Sequence, residues 1–411
     1  MLVLRCLPLF VRLLLRGLPG VFRYRHQLVF CWLLLMQIIA PGRNMLKQLA
    51  RYTPLHIAEW HFRRLLSASY WSFRLLLRWF ASEAIKRFPP PSDGVIYVIG
   101  DGSHRDKRGK KHPATQKGKQ NKYVDFFGIK FIVLMISWDT YRIPVDFEIV
   151  LPKPLPGYQN ENTLFRQMVA RFLPLLWAKR VIVGGNCAFA SRENMQSIQR
   201  RNKEDKHRQW GFVFGIARTW KQSNDKSLKN LVTHLPRHLY KKTWIPWLAH
   251  RPRRKTFWIF TKRTTLHHIG DVTIVLSKKG RNHGPQRTKL IVTNLPDLNG
   301  RQIVGIYARR WQIEILFREL SSDLGLGQHQ VTGDIGRTEK SFALGIMAYL
   351  FVLRARHHDI CPGKPWSLMQ LQHHFINDVI TSEVKQREDR LQLCLTKEYW
   401  AKPHDTIHRI T

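Results

Sequence analysis

Cysteine, acidic side chains and long apolar runs are all scarce in this sequence of 411 residues. The five cysteines stand far apart and none forms a C-x-x-C pair, which argues against a disulfide framework and a structural zinc site and fits a reducing compartment. No internal repeat or low-complexity tract is present. A hydrophobic content of 44% and a length suited to two or three domains provide a sizeable core, so the chain is not disordered as a whole.

The longest apolar run is too short to span a membrane. It covers residues 28–40 and is interrupted only by Gln37, and as a helix it would extend about 20 Å across a hydrocarbon core of about 30 Å. The apolar start of the chain also differs from a signal peptide, because Arg5, Arg12 and Arg16 lie inside it. We therefore predict a buried or partner-facing helix at 28–40 and a cytoplasmic protein without a membrane partner.

Positively charged side chains greatly outnumber negatively charged ones. The chain has 68 Lys and Arg against 28 Asp and Glu, which gives a formal net charge of +40 at pH 7. A folded protein with this charge repels itself unless a polyanion takes up part of the repulsion. The expected partner is therefore nucleic acid.

The apolar pattern changes along the chain. Helical spacing runs through residues 28–88, where arginines alternate with tryptophans, which suits a small DNA-binding helical domain or an amphipathic bundle with solvated arginines. After three prolines at 89–91, strand patterns alternate with a helix at 162–177 and predict an α/β core. We expect five regions: an N-terminal helical DNA-binding region at 1–90, the first part of the core at 91–186, a β-rich insertion at 187–300, the second part of the core at 301–356 and a C-terminal helical tail at 357–411.

Asp101 is the first candidate for catalysis. It follows the predicted strand 95–99 and Gly100, and the end of a central strand is well placed to hold a metal ion, although Asp101 and Gly102 also form an ordinary turn pair. The residues at 102–122 have eight Lys and Arg against one Asp, which predicts either a disordered basic loop or one that contacts DNA phosphates beside the carboxylate. The cations of this loop that we expect to bind DNA are Lys107, Arg108, Lys110 and Lys111.

A predicted long helix at 300–324 carries the second group of candidates. Tyr307, Arg310, Glu314, Arg318 and Ser321 fall within roughly 80° of one another around the helix, beside a separate apolar stripe. The pattern is compatible with an amphipathic surface helix in which Arg310 and Glu314 form an i,i+4 ion pair. The hydroxyl, guanidinium and carboxylate groups along one face favour a site for a phosphate and a metal ion together.

The chain resembles bacterial insertion-sequence transposases of the DDE superfamily, in the group with a Tyr-x2-Arg-x3-Glu-x6-Lys signature. The similarity includes Asp101 after its strand, the segment VIVGGNCAFAS at 181–191, a long β insertion, the signature spacing of Tyr307, Arg310 and Glu314, and the segment LGLGQH at 324–329. It implies a ribonuclease-H-like catalytic core with an inserted β-rich domain, after the N-terminal helical domain.

The resemblance also implies roles for individual residues. Asp101, Asn186 and Glu314 take the positions of the three catalytic metal ligands, which in an intact relative hold two Mg²⁺ ions, with Mn²⁺ as a substitute. Tyr307 and Arg310 are implied contacts to DNA phosphate near the transposon end. The expected partner is double-stranded DNA, both transposon ends and target, bound by a homodimer that is associated with the bacterial nucleoid.

Two positions depart from the family pattern. Asn186 stands where the second aspartate is expected, and a neutral amide lacks the charge that holds two metal ions about 3.5 to 4 Å apart. Glu193 lies seven residues further on and is poorly aimed to replace it. Ser321 stands at the signature lysine, where Arg318 can take over part of the phosphate contact. We therefore expect impaired catalysis.

The sequence thus predicts a transposase that binds transposon ends, with DNA cleavage and strand transfer impaired at Asn186. A transposase-derived DNA-binding protein without catalysis is the alternative. A ribonuclease-H-like nuclease acting on RNA is disfavoured, because the insertion and the signature helix have no role in it. Within the insertion, Arg253, Arg254 and Lys255 belong to a cluster of cations with no acidic residue from 251 to 266, which predicts DNA contacts or a solvated hairpin face.

We expect DNA binding to depend steeply on salt, because binding of a chain with a net charge of +40 to phosphates releases counterions. If about six to ten phosphates are contacted, affinity should fall by about 10³ to 10⁵ between roughly 50 and 200 mM salt. Fluorescence anisotropy with a labelled duplex measures this slope. Flat affinity across the range would contradict the electrostatic interpretation.

Overall fold

The chain forms two compact units. The computed structural model describes residues 15–18, 20–22, 24–39, 45–53, 57–68, 70–107, 112–119, 125–247, 253–329 and 334–358, with scattered residues between 370 and 389. The described residues of 1–80, 320–331 and 336–411 make up the first unit, and those of 81–319 and 332–335 make up the second. Arg108, Lys110 and Lys111 of the predicted basic loop lie outside the described residues.

The first unit is helical. Its helices are α1 (Tyr24–Ile39), α2 (Leu46–Leu49), α3 (Glu59–Ser67), the greater part of α4 (Phe73–Ile85) and nearly all of α10 (Ile335–His358). The side chains at 29–36 in α1 are buried, in agreement with the buried helix predicted at 28–40. Phe30 packs against Trp71 and Phe80, with ring centroids 5.9 and 6.3 Å apart. In the described part of the chain, no helix has the length and apolar character needed to cross a membrane.

The second unit is built on one sheet of ten strands. The strands are β1 (Val95–Asp106), β2 (Thr115–Lys119), β3 (Asp125–Trp138), β4 (Tyr141–Val150), β5 (Arg180–Gly185), β6 (Gln209–Gly215), β7 (Lys241–Trp247), β8 (Arg253–Leu266), β9 (Gly270–Lys278) and β10 (Lys289–Thr293). They lie in the order β2-β3-β1-β5-β6-β10-β9-β8-β7, and β4 also pairs with β3. Strands β1, β5 and β6 run parallel, whereas the other pairings are antiparallel.

Helices connect these strands and cover the sheet. They are α5 (Glu161–Arg171), α6 (Arg192–Glu204), α7 (Leu228–His234), α8 (Gly300–Arg309) and α9 (Trp311–Arg318). The strands contribute long buried apolar runs, of which 131–136 in β3 and 181–183 in β5 are examples. Runs without polar alternation are typical of strands covered on both faces. The architecture is therefore the α/β class that the sequence predicted.

The insertion predicted at 187–300 begins later than expected. Residues 192–204 form helix α6, and β6 pairs in parallel with β5, so the core continues to Gly215. The strands that follow do not form a separate domain, because β10 pairs antiparallel with β6 and places Thr293 opposite Val213. The buried run at 210–214 explains this arrangement, since a fully apolar strand is stable only with a neighbour on each side.

The surroundings of Asp101 also differ from the prediction. Strand β1 does not end at Ile99 but continues to Asp106, which lies opposite Gly128 of β3. Strand β2 lies inside the predicted basic loop and pairs with β3. Pairing with β3 keeps these polar residues extended, because the cross-strand hydrogen bonds outweigh the weak strand propensity of Lys, Asp and Gly.

The predicted helix at 300–324 is divided into shorter segments. The side chain of Asn299 caps α8 and forms a reciprocal capping box with Gln302. Arg310 lies between α8 and α9, and a π-helical turn at Glu319–Asp323 follows α9. π-helical turns inside α-helices are frequent at functional sites. The predicted helix at 340–356 is part of the longer α10.

A glycine allows β1 to pass close to α5. A Cβ atom at Gly100 would lie 2.2 Å from the ring of Phe165, whereas a Cβ atom at Gly184 in β5 would be 3.5 Å from the Val213 carbonyl oxygen. We expect Gly100→Ala to lower the free energy of unfolding by about 1–3 kcal/mol, because the buried ring has to shift. Urea denaturation measures the loss, with Gly184→Ala as the control. Equal losses in the two variants would contradict this account of the contact.

Candidate active site

The parallel pairing of β1 with β5 brings the first two candidates together. Ile99 lies opposite Gly184, so Asp101 and Asn186 each come two residues beyond the same pair. The Asn186 Nδ2 atom donates a hydrogen bond of 2.9 Å to Asp101 Oδ1. The Asn186 Oδ1 atom accepts from the backbone N–H of Ala188 at 2.8 Å. The amide therefore ties the end of β5 to the carboxylate on β1.

Asp101 is a buried acid with three donors around it. Only 7% of the residue is exposed, and its Oδ1 atom also accepts from the Gly102 backbone N–H at 2.9 Å. Burial raises the pKa of Asp101, while the positive charge of Arg310 opposes this rise. The Arg310 Nη1 atom donates to Asp101 Oδ2 at 2.8 Å. The carboxylate thus accepts from two neutral donors at Oδ1 and from one charged donor at Oδ2.

Arg310 joins the two carboxylates of the site. Its Nη2 atom donates to Glu314 Oε1 at 2.6 Å, while Nη1 bonds to Asp101. Burial disfavours the charge of this guanidinium, but the nearby Asp101, Tyr307 and Glu314 raise the pKa of Arg310 overall. The side chain of Glu314 is 35% exposed, whereas those of Asp101 and Arg310 are 10% and 15% exposed. Asp101, Asn186, Arg310 and Glu314 thus form one hydrogen-bonded group.

Tyr307 lies beside this network, against the end of β6. A Cβ atom at Gly215 would be 2.7 Å from the Tyr307 hydroxyl, so only glycine leaves room for the tyrosine. Burial raises the pKa of Tyr307, and the nearby Arg310 opposes this rise. The Lys289 Nζ atom lies 5.9 Å from the centre of the tyrosine ring. Burial and the charge of Arg310 lower the pKa of Lys289.

Lys289 was not identified from the sequence. It begins β10, and only the pairing of β10 with β6 brings it to Tyr307, so no local pattern marks it. The lysine belongs to the lining of a cavity of about 350 Å³ beside the site. The cavity is also lined by Tyr307 and Arg310, by the cations Lys278, Lys279 and Arg287, by His283, and by apolar groups that include Phe257 and Trp311. Cations and aromatic rings together are typical of surfaces that bind nucleic acids.

Helix α9 is fixed to the sheet by buried polar contacts. Ser137 of β3 donates to the Gln312 side-chain oxygen. The Arg142 Nη2 atom donates to Glu319 Oε1 at 2.8 Å and to Oε2 at 3.2 Å. The side chains of this pair are 11% and 12% exposed. These contacts hold α9, and with it Glu314, in place over β3 and β4.

The other predicted residues lie outside the network. Lys107 follows β1 and is half-buried, and its burial together with the charge of Arg105 lowers the pKa of Lys107 to about 8. Arg318 is exposed at the end of α9, and Lys255 is exposed in β8. The backbones of Arg253 and Arg254 belong to β8, but their side chains are outside the described residues.

Two further positions from the family comparison are Glu193, considered as a replacement for the second aspartate, and Ser321, which stands at the signature lysine. Glu193 is exposed in the first turn of α6, as the sequence analysis anticipated for a poorly aimed carboxylate. Ser321 lies in the π-helical turn and belongs to the first unit. Glu193 is not among the groups that donate to Asp101.

The donors present do not fit a two-metal centre. Within the described ranges, no group of three or more His, Cys, Asp or Glu side chains is arranged to hold a metal ion. The site has two carboxylates and one amide, and the Asn186 oxygen accepts a backbone hydrogen bond. The guanidinium of Arg310 is hydrogen-bonded to both carboxylates. Two divalent ions need more negative charge than this set provides.

Comparison with known proteins identifies the family of this fold. A family model described as the transposase DDE domain matches residues 98–351. A solved structure of the piggyBac transposase synaptic complex with hairpin DNA is similar in fold, with a TM-score of 0.50 and 12% sequence identity over 92% of this chain and 75% of that chain. None of the curated proteins compared with the sequence matches it. The predicted ribonuclease-H-like core is thus confirmed.

We expect Arg142→Gln to lower the free energy of unfolding by about 3–5 kcal/mol, because it leaves the buried Glu319 carboxylate without its cation. Lys86→Gln is the matched control, since the side chain of Lys86 in its pair with Glu83 is 64% exposed and such pairs contribute about 0–1 kcal/mol. Urea denaturation measures both variants. A loss in Arg142→Gln no larger than that in the control would show that this pair does not anchor α9.

Proposed function

Because this chain belongs to the transposase DDE domain family, we propose that it binds transposon-end DNA and that its DNA cleavage and strand transfer are impaired by Asn186. Members of this family generally use divalent metal ions. Mg²⁺, with Mn²⁺ as a substitute, is the ion we propose for the ancestral reaction. Double-stranded DNA bound by a homodimer is the proposed assembly, and the likeness to a transposase structure with hairpin DNA supports DNA as the partner.

The observation that carries the proposal is the hydrogen-bonded group of Asp101, Asn186, Arg310 and Glu314. It joins Asp101 within β1, Asn186 just beyond the end of β5, and Glu314 in the first turn of α9, with Arg310 at the N-cap of that helix. These are the three positions at which the family resemblance places catalytic carboxylates. Only the second position lacks a negative charge, so impaired catalysis and not a different fold is the expected consequence.

The residues beside the carboxylates are suited to DNA phosphate. Tyr307 and Arg310 line the same basic cavity, and the guanidinium can bind two phosphate oxygens at once. Lys289 contributes a further positive charge next to Tyr307. In this proposal the two signature residues orient the phosphodiester, while Asp101 and Glu314 hold Arg310 in place until DNA arrives. We also propose DNA contacts for the cations Lys107, Arg108, Lys110, Lys111, Arg253, Arg254, Lys255 and Arg318.

A protein that binds DNA without cleaving it is the second candidate. The amide at Asn186 favours it, because this side chain donates to Asp101 where the family pattern has a second acid. Both candidates share the same DNA-binding surface. They differ in whether metal-dependent nicking is retained.

We expect Asn186→Asp to raise nicking of a labelled duplex that carries the flanking inverted repeat, in the presence of Mg²⁺. The physical reason is that the variant restores one carboxylate at a position whose backbone is already fixed by the pairing of β5 with β1. The wild-type protein should nick this duplex poorly or not at all. Product is quantified by gel electrophoresis at equal DNA occupancy.

Two double variants provide the controls for this experiment. Asp101→Ala and Glu314→Ala, each combined with Asn186→Asp, should abolish the nicking that returns and leave end binding largely intact, since phosphate contacts contribute most of the affinity. Equal nicking by the wild-type protein and Asn186→Asp would show that residue 186 is not the second ligand. No nicking by any of the proteins, with end binding preserved, would favour the DNA-binding protein without catalysis.

A further inference from the structure

The contacts of Arg310 indicate more than phosphate binding. Its two terminal nitrogens bond to two different carboxylates, at 2.8 Å for Asp101 and 2.6 Å for Glu314. A single cation is therefore shared by the two acids of the site. A divalent ion shared by Asp101 and Glu314 would compete with the guanidinium for the same two carboxylates.

We propose, on the basis of the proposed function, that Arg310 is a built-in cation of this centre and that a divalent ion can bind Asp101 and Glu314 only after DNA phosphate has drawn the guanidinium away. The protein would then couple ion binding to DNA binding. The ligands are a divalent cation at the carboxylates and a phosphodiester at Arg310.

The charge balance of the centre supports mutual exclusion. With Arg310 in place, Asp101, Glu314 and the guanidinium sum to one negative charge, because Asn186 is neutral. When the guanidinium leaves, the same centre has two negative charges and matches one divalent ion. A guanidinium and a divalent ion within a few ångströms of each other repel strongly in a site where the arginine and aspartate side chains are only 15% and 10% exposed.

The position of Arg310 gives the guanidinium a second place to bind. The residue lies between α8 and α9, bonds to the carboxylates and also lines the 350 Å³ cavity with Lys289 and Tyr307. A phosphate in this cavity offers the guanidinium two oxygen acceptors in place of the two carboxylate oxygens. The guanidinium then neutralises the phosphate and releases the two carboxylates in the same step.

The arrangement predicts reciprocal effects. If phosphate raises the affinity of the centre for the ion, the ion must raise the affinity for phosphate by the same factor. Without DNA, the ion competes with an arginine that is covalently part of the site and is present at high effective concentration. A chain that has not bound DNA should therefore bind a divalent ion weakly.

Binding of Mn²⁺ to the full chain without DNA tests the proposal, with free Mn²⁺ measured by electron paramagnetic resonance. Arg310→Gln should bind one Mn²⁺ about tenfold more tightly than the wild-type protein, a factor within the range of coupled sites. Arg309→Gln is the matched control, because Arg309 lies over the Tyr97 ring and contacts the Asp139 carbonyl oxygen, outside the carboxylates. Asp101→Asn removes one of the two carboxylates, so the Mn²⁺ binding that this variant loses is the part that comes from this centre. Equal Mn²⁺ affinity in Arg310→Gln and the wild-type protein would overturn the proposal.

Circular dichroism shows whether Arg310→Gln folds. If it does not fold, a second variant tests the same proposal. Arg310→Lys retains one positive charge but has a single donor group that cannot bridge two carboxylates in the same way. Mn²⁺ affinity of Arg310→Lys above that of the wild-type protein supports the exclusion, whereas Mn²⁺ affinity equal to that of the wild-type protein overturns it. Addition of a short duplex, corrected for Mn²⁺ bound by the DNA alone, should raise the affinity of the wild-type centre.

The outcomes separate this proposal from the proposed function. Restored nicking by Asn186→Asp with no effect of Arg310→Gln on Mn²⁺ affinity would overturn the built-in cation and leave the proposed function standing. Tighter Mn²⁺ binding by Arg310→Gln without nicking by Asn186→Asp would support the built-in cation and count against restored catalysis.

Discussion

One guanidinium holds the two acidic residues of the centre in a common geometry. Asp101 lies in a central strand and Glu314 in a helix more than two hundred residues later, and Arg310 bonds to both. Without that cation, two carboxylates would approach each other in a largely buried place, which is costly. The contacts of α9 with β3 and β4 then serve to keep Glu314 where Arg310 can reach it.

The sheet provides the rigid frame for this arrangement. Parallel pairing of β1 with β5 sets Asp101 beside Asn186, and the pairing of β6 with β10 brings Lys289 to the tyrosine of α8. Each functional side chain comes from a different segment, yet all are fixed by neighbouring strands or by helices packed on them. Sites built on such regular elements are positioned more accurately than sites built on loops.

Sequence patterns predicted which strands and helices form better than they predicted where each one begins and ends. The i,i+4 pair of Arg310 and Glu314 could be predicted from their spacing, whereas Asn186 was assigned to the site of Asp101 only through the family resemblance. The bond between Arg310 and Asp101 could not be predicted from spacing, because it joins residues 209 positions apart. The extension of β1 to Asp106 and the start of β2 depend on pairing with β3, which polar residues do not reveal. Lys289 has no distinguishing neighbours, so only the tertiary fold identifies it.

The continuity of the sheet across β6 and β10 has a consequence for how this chain can be altered. Phe212, Val213 and Phe214 are buried, and β10 supplies the hydrogen-bonding partner for that edge of the core. Removal of residues 216–299 would leave a flat apolar strand with unpaired backbone groups, which is a template for association with other chains. β10 therefore covers the edge of β6, and a shortened relative of this chain would need another way to cover it.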